Sequence, residues 1–189
     1  MKKNLLTAFL MTIAMTILLG LIYPLVVTGL AQLIFHNKAN GELVTRNGEI
    51  IGSRLIAQPF TSGKYFHPRP SNAGTGYDAT NSGGTNYAPT NQKLIDRVQA
   101  DAKTLHAENP SQPIPVDLIT TSASGLDPDI SPAAAEFQIP RVARERGLPE
   151  NTVRELIKKY TTPRDLGVFG EPRVNVLELN LALDRMAAH

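Results

Sequence analysis

An uninterrupted apolar run near the N-terminus, Leu5 to Phe35, constrains this chain more than any other feature. The run contains no Asp, Glu, Lys or Arg, and Lys2 and Lys3 stand just before it. Because a helix rises 1.5 Å per residue, roughly 20 helical residues cross the hydrocarbon core of a bilayer. We predict a single transmembrane helix over residues 5–27, and an extension of it to about residue 35 stays open.

The charges that flank this run predict its orientation. Two lysines precede it, whereas only Lys38 stands close on the far side. Since cytoplasmic flanks carry the excess of Lys and Arg, we expect residues 1–4 in the cytoplasm and residues 36–189 outside it. The competing interpretation is a cleaved signal peptide, with residues 29–31 as the cleavage site. The run far exceeds the 7–15 apolar residues of such peptides, which favours a permanent anchor.

The composition of the remaining residues limits the class of domain. From residue 36 onward, 17 Lys and Arg balance 17 Asp and Glu, so the net charge of +2 comes from the two N-terminal lysines. A neutral domain lacks the basic surface that nucleic-acid binding requires, and we exclude that class. The chain has no cysteine, which excludes disulfides, thiol catalysis and zinc–thiolate sites. Stability therefore depends on an apolar core.

Local patterns predict an α+β fold for this extracytoplasmic domain. Asn47-Gly48 between two apolar pairs indicates a β-hairpin over residues 43–51, and residues 54–58 are expected to continue its sheet. The further signals are a helix from Thr90 or Asn91 to Ala107, a strand at 116–121, a helix from Ser131-Pro132 that Pro140 interrupts and Gly147 ends, and a helix at 150–160.

The last element, Val174 to Met186, has two interpretations. Leucines at every second position from Leu177 to Leu183 alternate as in a strand. Asn175 followed three residues later by Glu178 instead indicates the capping box of a helix. We favour the helix, because a buried helix can be apolar most of the way round.

Residues 60–89 are rich in Gly, Ser, Thr, Asn and Pro and show no apolar periodicity. Aromatic side chains recur in this segment, and disordered linkers are poor in aromatics. We therefore predict an ordered surface loop that binds another molecule, with a partner protein as our hypothesis once the family resemblance below is considered. The candidate contact residues are Tyr65, Phe66, Arg69, Tyr77 and Tyr87. The competing interpretation is that these residues pack on their own domain.

The apolar run carries its own candidates for contact with partner membrane helices. Small residues allow helices to approach closely, and a lone anchor has no evident need for a proline. The candidate packing residues are Gly20, Tyr23, Pro24 and Gly29.

Motifs with a known chemistry are absent from the sequence. Residues 127–131 resemble the opening of a calcium loop, but Pro132 and Gln138 occupy positions that require Gly and Glu, so we interpret them as a turn. No nucleophile elbow or phosphate-binding loop is present. The four histidines are scattered and interpreted as solvated, with His67 the one worth testing. The sequence predicts no catalytic residue, bound cofactor or metal.

A short basic run, Arg141, Arg144 and Arg146, is interpreted as a solvated helix face because Glu145 lies within it. The physical interpretation of the sequence thus favours a binding or scaffolding subunit over an enzyme. The alternative is a membrane-anchored extracytoplasmic enzyme or binding module of unknown substrate, which would use Asp127 and His67.

Short motifs spread along the whole chain together resemble those of a known protein family. The segments are Tyr23-Pro24, Tyr65–Ser71, Ser82–Asn86, Thr90-Asn91, Ala123–Asp127, Ile130–Ala134, Gln138–Ala143, Val174-Asn175 and Leu179–Asp184. In this order they resemble the C-subunit (KdpC) family of Kdp-type ATP-driven potassium importers. Asp129 stands where many members have His, and no function is assigned to it.

This resemblance implies a small accessory subunit in the inner membrane of a bacterium. Its partners would be a channel-like potassium-binding subunit, a P-type ATPase subunit, a small single-helix subunit and membrane lipid. ATP and potassium would be handled by those partners, since this chain lacks the Asp-Lys-Thr-Gly phosphorylation motif. The family is described as a catalytic chaperone that raises the ATP affinity of the pump subunit. Because ATP is cytoplasmic, the predicted topology makes that effect indirect.

Overall fold

The computed structural model describes residues 2–187 and falls into two compact units, divided between Leu43 and Val44. Met1, Ala188 and His189 lie outside the described residues, and with them the outermost part of the predicted cytoplasmic segment and one of the four histidines.

The first unit is dominated by one helical segment, Lys2–Ile34. It consists of α1 (Lys2–Ile17), a π-helical turn (Leu18–Ile22) and α2 (Tyr23–Ile34), followed by the short α3 (His36–Ala39). Its most apolar 18-residue window has a mean hydropathy of 2.4. Among the described residues it is the one helix long and apolar enough to cross a membrane. The predicted span is therefore helical throughout and continues beyond residue 27.

Pro24 accounts for the π turn inside this helix. A proline lacks the backbone N–H, and its ring crowds the carbonyl four residues earlier, which here belongs to Gly20. The helix widens at this point, and the N–H of Tyr23 bonds to the carbonyl of Leu18, five residues back. The helix thus continues through the proline at the expense of one irregular turn.

The second unit begins with a hairpin of β1 (Leu43–Arg46) and β2 (Glu49–Ser53). Asn47 and Gly48 both have positive φ, 54° and 86°, as a type I′ turn requires, so the predicted hairpin is confirmed. The expected continuation over 54–58 is wrong. The backbone N–H of Ala57 instead bonds to the carbonyl of Leu126, which draws the chain away from the sheet.

The next helix, α4 (Gln92–Glu108), begins as predicted. The side chain of Asn91 caps it by accepting from the N–H of Lys93 at 2.9 Å. The strand expected at 116–121 is wrong, because these residues form a 3₁₀ turn, Val116–Leu118. The Thr120 hydroxyl donates to the Val116 carbonyl at 2.7 Å, which closes this segment on itself rather than pairing it with a strand.

The core forms from the C-terminal half of the second unit. Its elements are β3 (Asp129–Ile130), α5 (Pro132–Arg146), α6 (Glu150–Tyr160), β4 (Thr161–Thr162), β5 (Arg173–Asn175) and α7 (Val176–Ala187). The strands form an antiparallel sheet in the order β3-β5-β4, with Val174 opposite both Ile130 and Thr161. Phe137, Val153 and Leu179, which are buried, bring the three helices into one apolar cluster with this sheet. The predicted mixture of helix and sheet is confirmed.

Helix α5 differs from the prediction at one point. Ser131 caps it by accepting from the N–H of Ala134 at 3.0 Å, and Gly147 ends it with φ of 65°, as expected. The expected interruption at Pro140 is wrong, since the helix is unbroken through it. A mid-helix proline costs about 3 kcal/mol. Buried residues on both sides of it, Ile139 and Val142, hold the helix in place by tertiary packing.

The C-terminal element is the helix α7, so the favoured interpretation is confirmed. The side chain of Asn175 accepts from the N–H of Glu178 at 3.1 Å, as an N-cap does. The alternation of leucines arises because Leu177, Leu179 and Leu183 are all buried, as expected of a helix enclosed on most sides.

The loop of residues 60–89 has no helix or strand of its own, yet it is packed against the domain. One contact is with Gly125, where φ is 67°. A Cβ at this position would lie 2.6 Å from the carbonyl oxygen of Gly83 and 2.8 Å from the backbone nitrogen of Ala73. The Ser71 hydroxyl donates to the Gly125 carbonyl at 2.6 Å. The loop is therefore ordered by close backbone approach, as predicted.

We predict that Gly125→Ala lowers the stability of the fold by about 3 kcal/mol or more, because the methyl group adds a clash with loop backbone to the strain of positive φ. Gly147→Ala is the matched control: its φ is 65°, but its Cβ would meet nothing within 4 Å. Strain alone should cost the control about 1–2 kcal/mol. Thermal unfolding of the full-length chain in detergent, followed by circular dichroism, measures both. Equal losses would contradict the close approach.

Candidate functional site

The loop predicted to contact a partner is the candidate site, and Asn180 in α7 fixes its centre. The side-chain carbonyl of Asn180 accepts from the N–H of Phe66 at 2.8 Å, and its NH₂ donates to the Phe66 carbonyl at 2.9 Å. Asn180 is 1% exposed. One buried amide thus supplies both backbone partners that a neighbouring strand would otherwise give to Phe66.

Gln138 in α5 does the same for the next residue of the loop. Its side-chain carbonyl accepts from the N–H of His67 at 2.8 Å, and its NH₂ donates to the His67 carbonyl at 3.1 Å. In the sequence, Asn180 is distinguished only as part of a family motif, and Gln138 as part of a family motif and as a mismatch to the calcium-loop pattern. The signal available was a lone amide within an apolar run, since a polar group in a core must find a hydrogen-bonding partner.

Arg141 contradicts the interpretation of the basic run as a solvated face. Its side chain is 9% exposed, and the guanidinium donates to the carbonyls of Gly63 and Tyr65 at 2.6 and 2.8 Å. It also pairs with Glu108 at 2.8 Å and donates to Gln138 at 2.6 Å. The planar fork of donors allows one side chain to hold two backbone carbonyls of the loop and a carboxylate together.

The side chain of Arg146 is also largely enclosed, with 7% exposed, whereas that of Arg144 is 70% exposed as predicted. Arg146 donates to the Lys64 carbonyl at 2.6 Å and pairs with Asp184 at 2.9 Å. Its guanidinium also lies 5.0 Å from the centre of the Tyr65 ring, a cation–π distance. The three arginines therefore do not share one solvated face. Arg141 and Arg146 hold the loop, and Arg144 is solvated.

These contacts place most of the predicted partner residues against their own domain. Phe66 is fully buried in the core cluster, and the Tyr65 hydroxyl donates to Asp184 at 3.2 Å. The Tyr77 hydroxyl donates to the Arg69 carbonyl at 2.8 Å. The competing interpretation therefore describes the observed contacts of these residues. Contact with a partner stays a prediction, and Tyr87, which is 42% exposed, is the aromatic residue free to make it.

Arg69 forms one wall of a cleft of about 570 Å³, where it pairs with Asp127 at 3.0 Å. Asp129 also lines this cleft. Burial raises the pKa of the Asp129 carboxyl, the neighbouring Asp127 charge adds to the shift, and a hydrogen bond from Asn175 opposes it. Among residues 2–187, no three His, Cys, Asp or Glu side chains are grouped to hold a metal ion.

A second cleft, of about 280 Å³, lies between the loop and α4 and is lined by His67 and Tyr77. Burial lowers the pKa of His67, and the charge of Arg141 lowers it further. Burial raises the pKa of Tyr77 to about 12. Both rings are therefore held in their neutral forms. His67 and Asp127, the pair required by the enzyme alternative, line different clefts.

Three of the four candidates in the apolar helix lie in or next to its π turn, and the fourth, Gly29, lies further along α2. Gly20 is within the turn, and Tyr23 and Pro24 begin α2 directly after it. A Cβ on Gly29 would meet nothing within 4 Å in this structure. Tyr23 is 61% exposed. Gly29 and Tyr23 are therefore not covered by other residues in this structure. Packing of these positions on partner helices stays a prediction.

Comparison with known proteins gives a match over nearly the full chain. The family model described as KdpC, the K⁺-transporting ATPase c chain, matches residues 5–185. A potassium-transporting ATPase KdpC subunit of Koribacter versatilis strain Ellin345 is 63% identical over 97% of this chain and 95% of its own length. The corresponding subunits of Acidobacterium capsulatum and Rhodopseudomonas palustris strain BisB18 are 56% and 53% identical over 97% of this chain, and over 99% and 98% of their own lengths. The chain belongs to the KdpC family.

We predict that Asn180→Ala destabilises the fold by about 2–4 kcal/mol, because the N–H and carbonyl of Phe66 lose their partners in a buried site. Limited proteolysis should then cut within residues 60–89 faster, and thermal unfolding of the full-length chain should shift down. Asn72→Ala is the control, since Asn72 is exposed and its amide also donates to a loop carbonyl, that of Gly84 at 3.2 Å. A loss for Asn180→Ala as small as the control's would contradict the clamp.

The lowered pKa of His67 predicts a loss of stability on the acidic side. The unfolded chain binds the proton near the usual value of 6.5, whereas the folded chain resists it. The contribution is complete above pH 6.5 and declines as pH falls through the unfolded value towards the lower folded one. His67→Gln should flatten this part of the unfolding profile between pH 5 and 8. His106→Gln, which removes an exposed imidazole, is the control, and equal flattening by both would refute the assignment.

Proposed function

Since the chain belongs to the KdpC family, we propose that it is an accessory subunit that assembles and stabilises the channel-like and ATP-hydrolysing subunits of a high-affinity potassium importer. The observation that carries this is the family match over residues 5–185, which includes the apolar helix as well as the folded domain. A small single-helix subunit and membrane lipid complete the set of proposed partners.

The folded domain is proposed to work on the extracytoplasmic side of the bacterial inner membrane. Lys2 and Lys3 on one flank of the helix, against Lys38 alone near the other, support this orientation. The single membrane-spanning candidate among the described residues then leaves only residues 1–4 in the cytoplasm. On the extracytoplasmic side the domain would cap the potassium entrance.

The proposed effect on ATP is indirect. Cytoplasmic ATP is on the opposite side of the membrane from the proposed position of the domain, so this chain binds neither ATP nor potassium itself in our proposal. It acts as a catalytic chaperone by favouring the conformation of the complex in which the pump subunit binds ATP more tightly. Such coupling typically changes an affinity by about 5- to 150-fold.

The test measures the ATPase activity of the purified partner subunits before and after this chain is added. We expect the KM for ATP to fall by about fivefold or more once the chain is present. A photoreactive ATP analogue should label the pump subunit and leave residues 44–189 of this chain unlabelled. A labelled peptide from those residues, or an unchanged KM, would refute the indirect mechanism.

The orientation forms the second arm of this test, and the absence of native cysteine makes it simple. A membrane-impermeant maleimide added to intact cells with a permeabilised outer layer should react with Lys159→Cys, an exposed position in α6. It should spare Lys3→Cys until the inner membrane is opened. The reverse pattern would place the domain in the cytoplasm.

A further inference from the structure

The segment that joins β4 to β5, residues 163–172, forms a small finger with its own hydrogen bonds. Asp165 and Phe169 face each other, and each donates its N–H to the other's carbonyl at 2.9 Å. The N–H of Val168 also bonds to the Asp165 carbonyl at 3.2 Å. The finger is therefore a closed hairpin turn with a defined shape.

The tip of this finger presents apolar side chains to the surroundings. Leu166 is 90% exposed, Val168 70% and Phe169 65%. Single exposed apolar residues are common on protein surfaces, but three within four consecutive positions of one ordered turn form a projecting apolar surface. None of these three side chains belongs to the core cluster.

The backbone conformation at Leu166 indicates that this apolar surface serves something other than folding. Its φ is 53°, in the left-handed region that Gly and Asn adopt readily and that a bulky residue such as Leu adopts at a cost. Gly167, with φ of 76°, completes the turn. The backbone strain therefore lowers the stability of the isolated chain at a position whose large side chain gains no burial in return.

The charges at the base of the finger indicate whether its apolar tip inserts into lipid or into a protein pocket. Arg164 pairs with Glu171 at 2.6 Å, and Arg173 lies 3.8 Å from Asp165. The charges cancel, whereas an element that binds an anionic bilayer surface carries an excess of Lys and Arg. A neutral, internally paired rim around an apolar tip suits a protein pocket.

A second copy of this chain does not suit the shape of the finger. The tip is convex and offers three side chains, far less than the roughly 1,200 Å² of total surface that a stable interface buries. A pocket in a subunit already held beside this chain in the membrane needs no such area, because the tether raises the effective concentration of the finger.

We propose that the finger inserts Leu166, Val168 and Phe169 into an apolar pocket of another subunit of the same complex. The inference rests on the proposed assembly role. The base of the finger, from Gly170 to Arg173, lines the same cleft as Val116, which is 68% exposed, and this adjoining apolar surface extends the contact.

The decisive variants remove the tip while sparing the fold. Leu166→Asn relieves the backbone strain, and Phe169→Ser removes an exposed ring. We expect the full-length chain alone to unfold at the same temperature as the native chain, or higher for Leu166→Asn. The double variant should bind the purified partner subunits at least about tenfold more weakly, as expected for loss of an apolar anchor. Ile50→Ser, which removes a 64% exposed residue in β2, is the matched control.

The partner is identified by placing a photoreactive phenylalanine analogue at position 169 and irradiating the assembled complex in its membrane. A cross-link to another subunit supports the proposal. Cross-links confined to lipid or to a second copy of this chain overturn it, as does native affinity of the double variant. If deleting the whole chain disrupts the complex while the finger variants assemble normally, the finger inference fails and the assembly role stands. An undisturbed complex after deletion refutes the assembly role itself.

Discussion

Hydrogen bonds from two buried amides and a buried guanidinium to loop backbone are the interactions on which the second unit depends. A 30-residue segment without helix or strand leaves many N–H and C=O groups to be satisfied, and each buried one left unpaired costs about 1–3 kcal/mol. Asn180, Gln138 and Arg141 supply partners from α7 and α5, in the places where strands would otherwise pair. Phe66, fixed between them, is fully buried in the core. The loop and the two helices therefore order one another.

The parts of this fold that the sequence predicted are those determined by near neighbours. The Asn47-Gly48 turn, the Asn91 cap and the helix after Asn175 each depend on contacts within three residues, which a single sequence displays. The anchors of the loop depend on pairs more than 70 residues apart, such as Gln138 with His67. A charged or amide residue at helical spacing has the same pattern whether it faces water or distant backbone. Arg141 was misinterpreted for that reason.

Most charged side chains that line the described clefts are already paired within the domain. Arg69 pairs with Asp127, and Arg141 pairs with Glu108, while His67 and Tyr77 are held neutral by burial. Catalysis usually requires acid and base groups within hydrogen-bond reach of one reacting atom. Here the polar side chains are engaged in holding loop backbone and in pairing with one another. That arrangement suits a subunit that acts through contacts.

The π turn at Leu18–Ile22 also determines which way the two glycines of the apolar helix point. In a regular helix each residue advances about 100° around the axis, so positions nine apart, such as Gly20 and Gly29, would point in opposite directions. Each residue of a π turn advances less than 100° around the axis, and Gly20 lies inside this turn, so the angle between the two glycines falls below about 180°. The proline thus brings the two small residues closer to one side of the helix than a regular helix would.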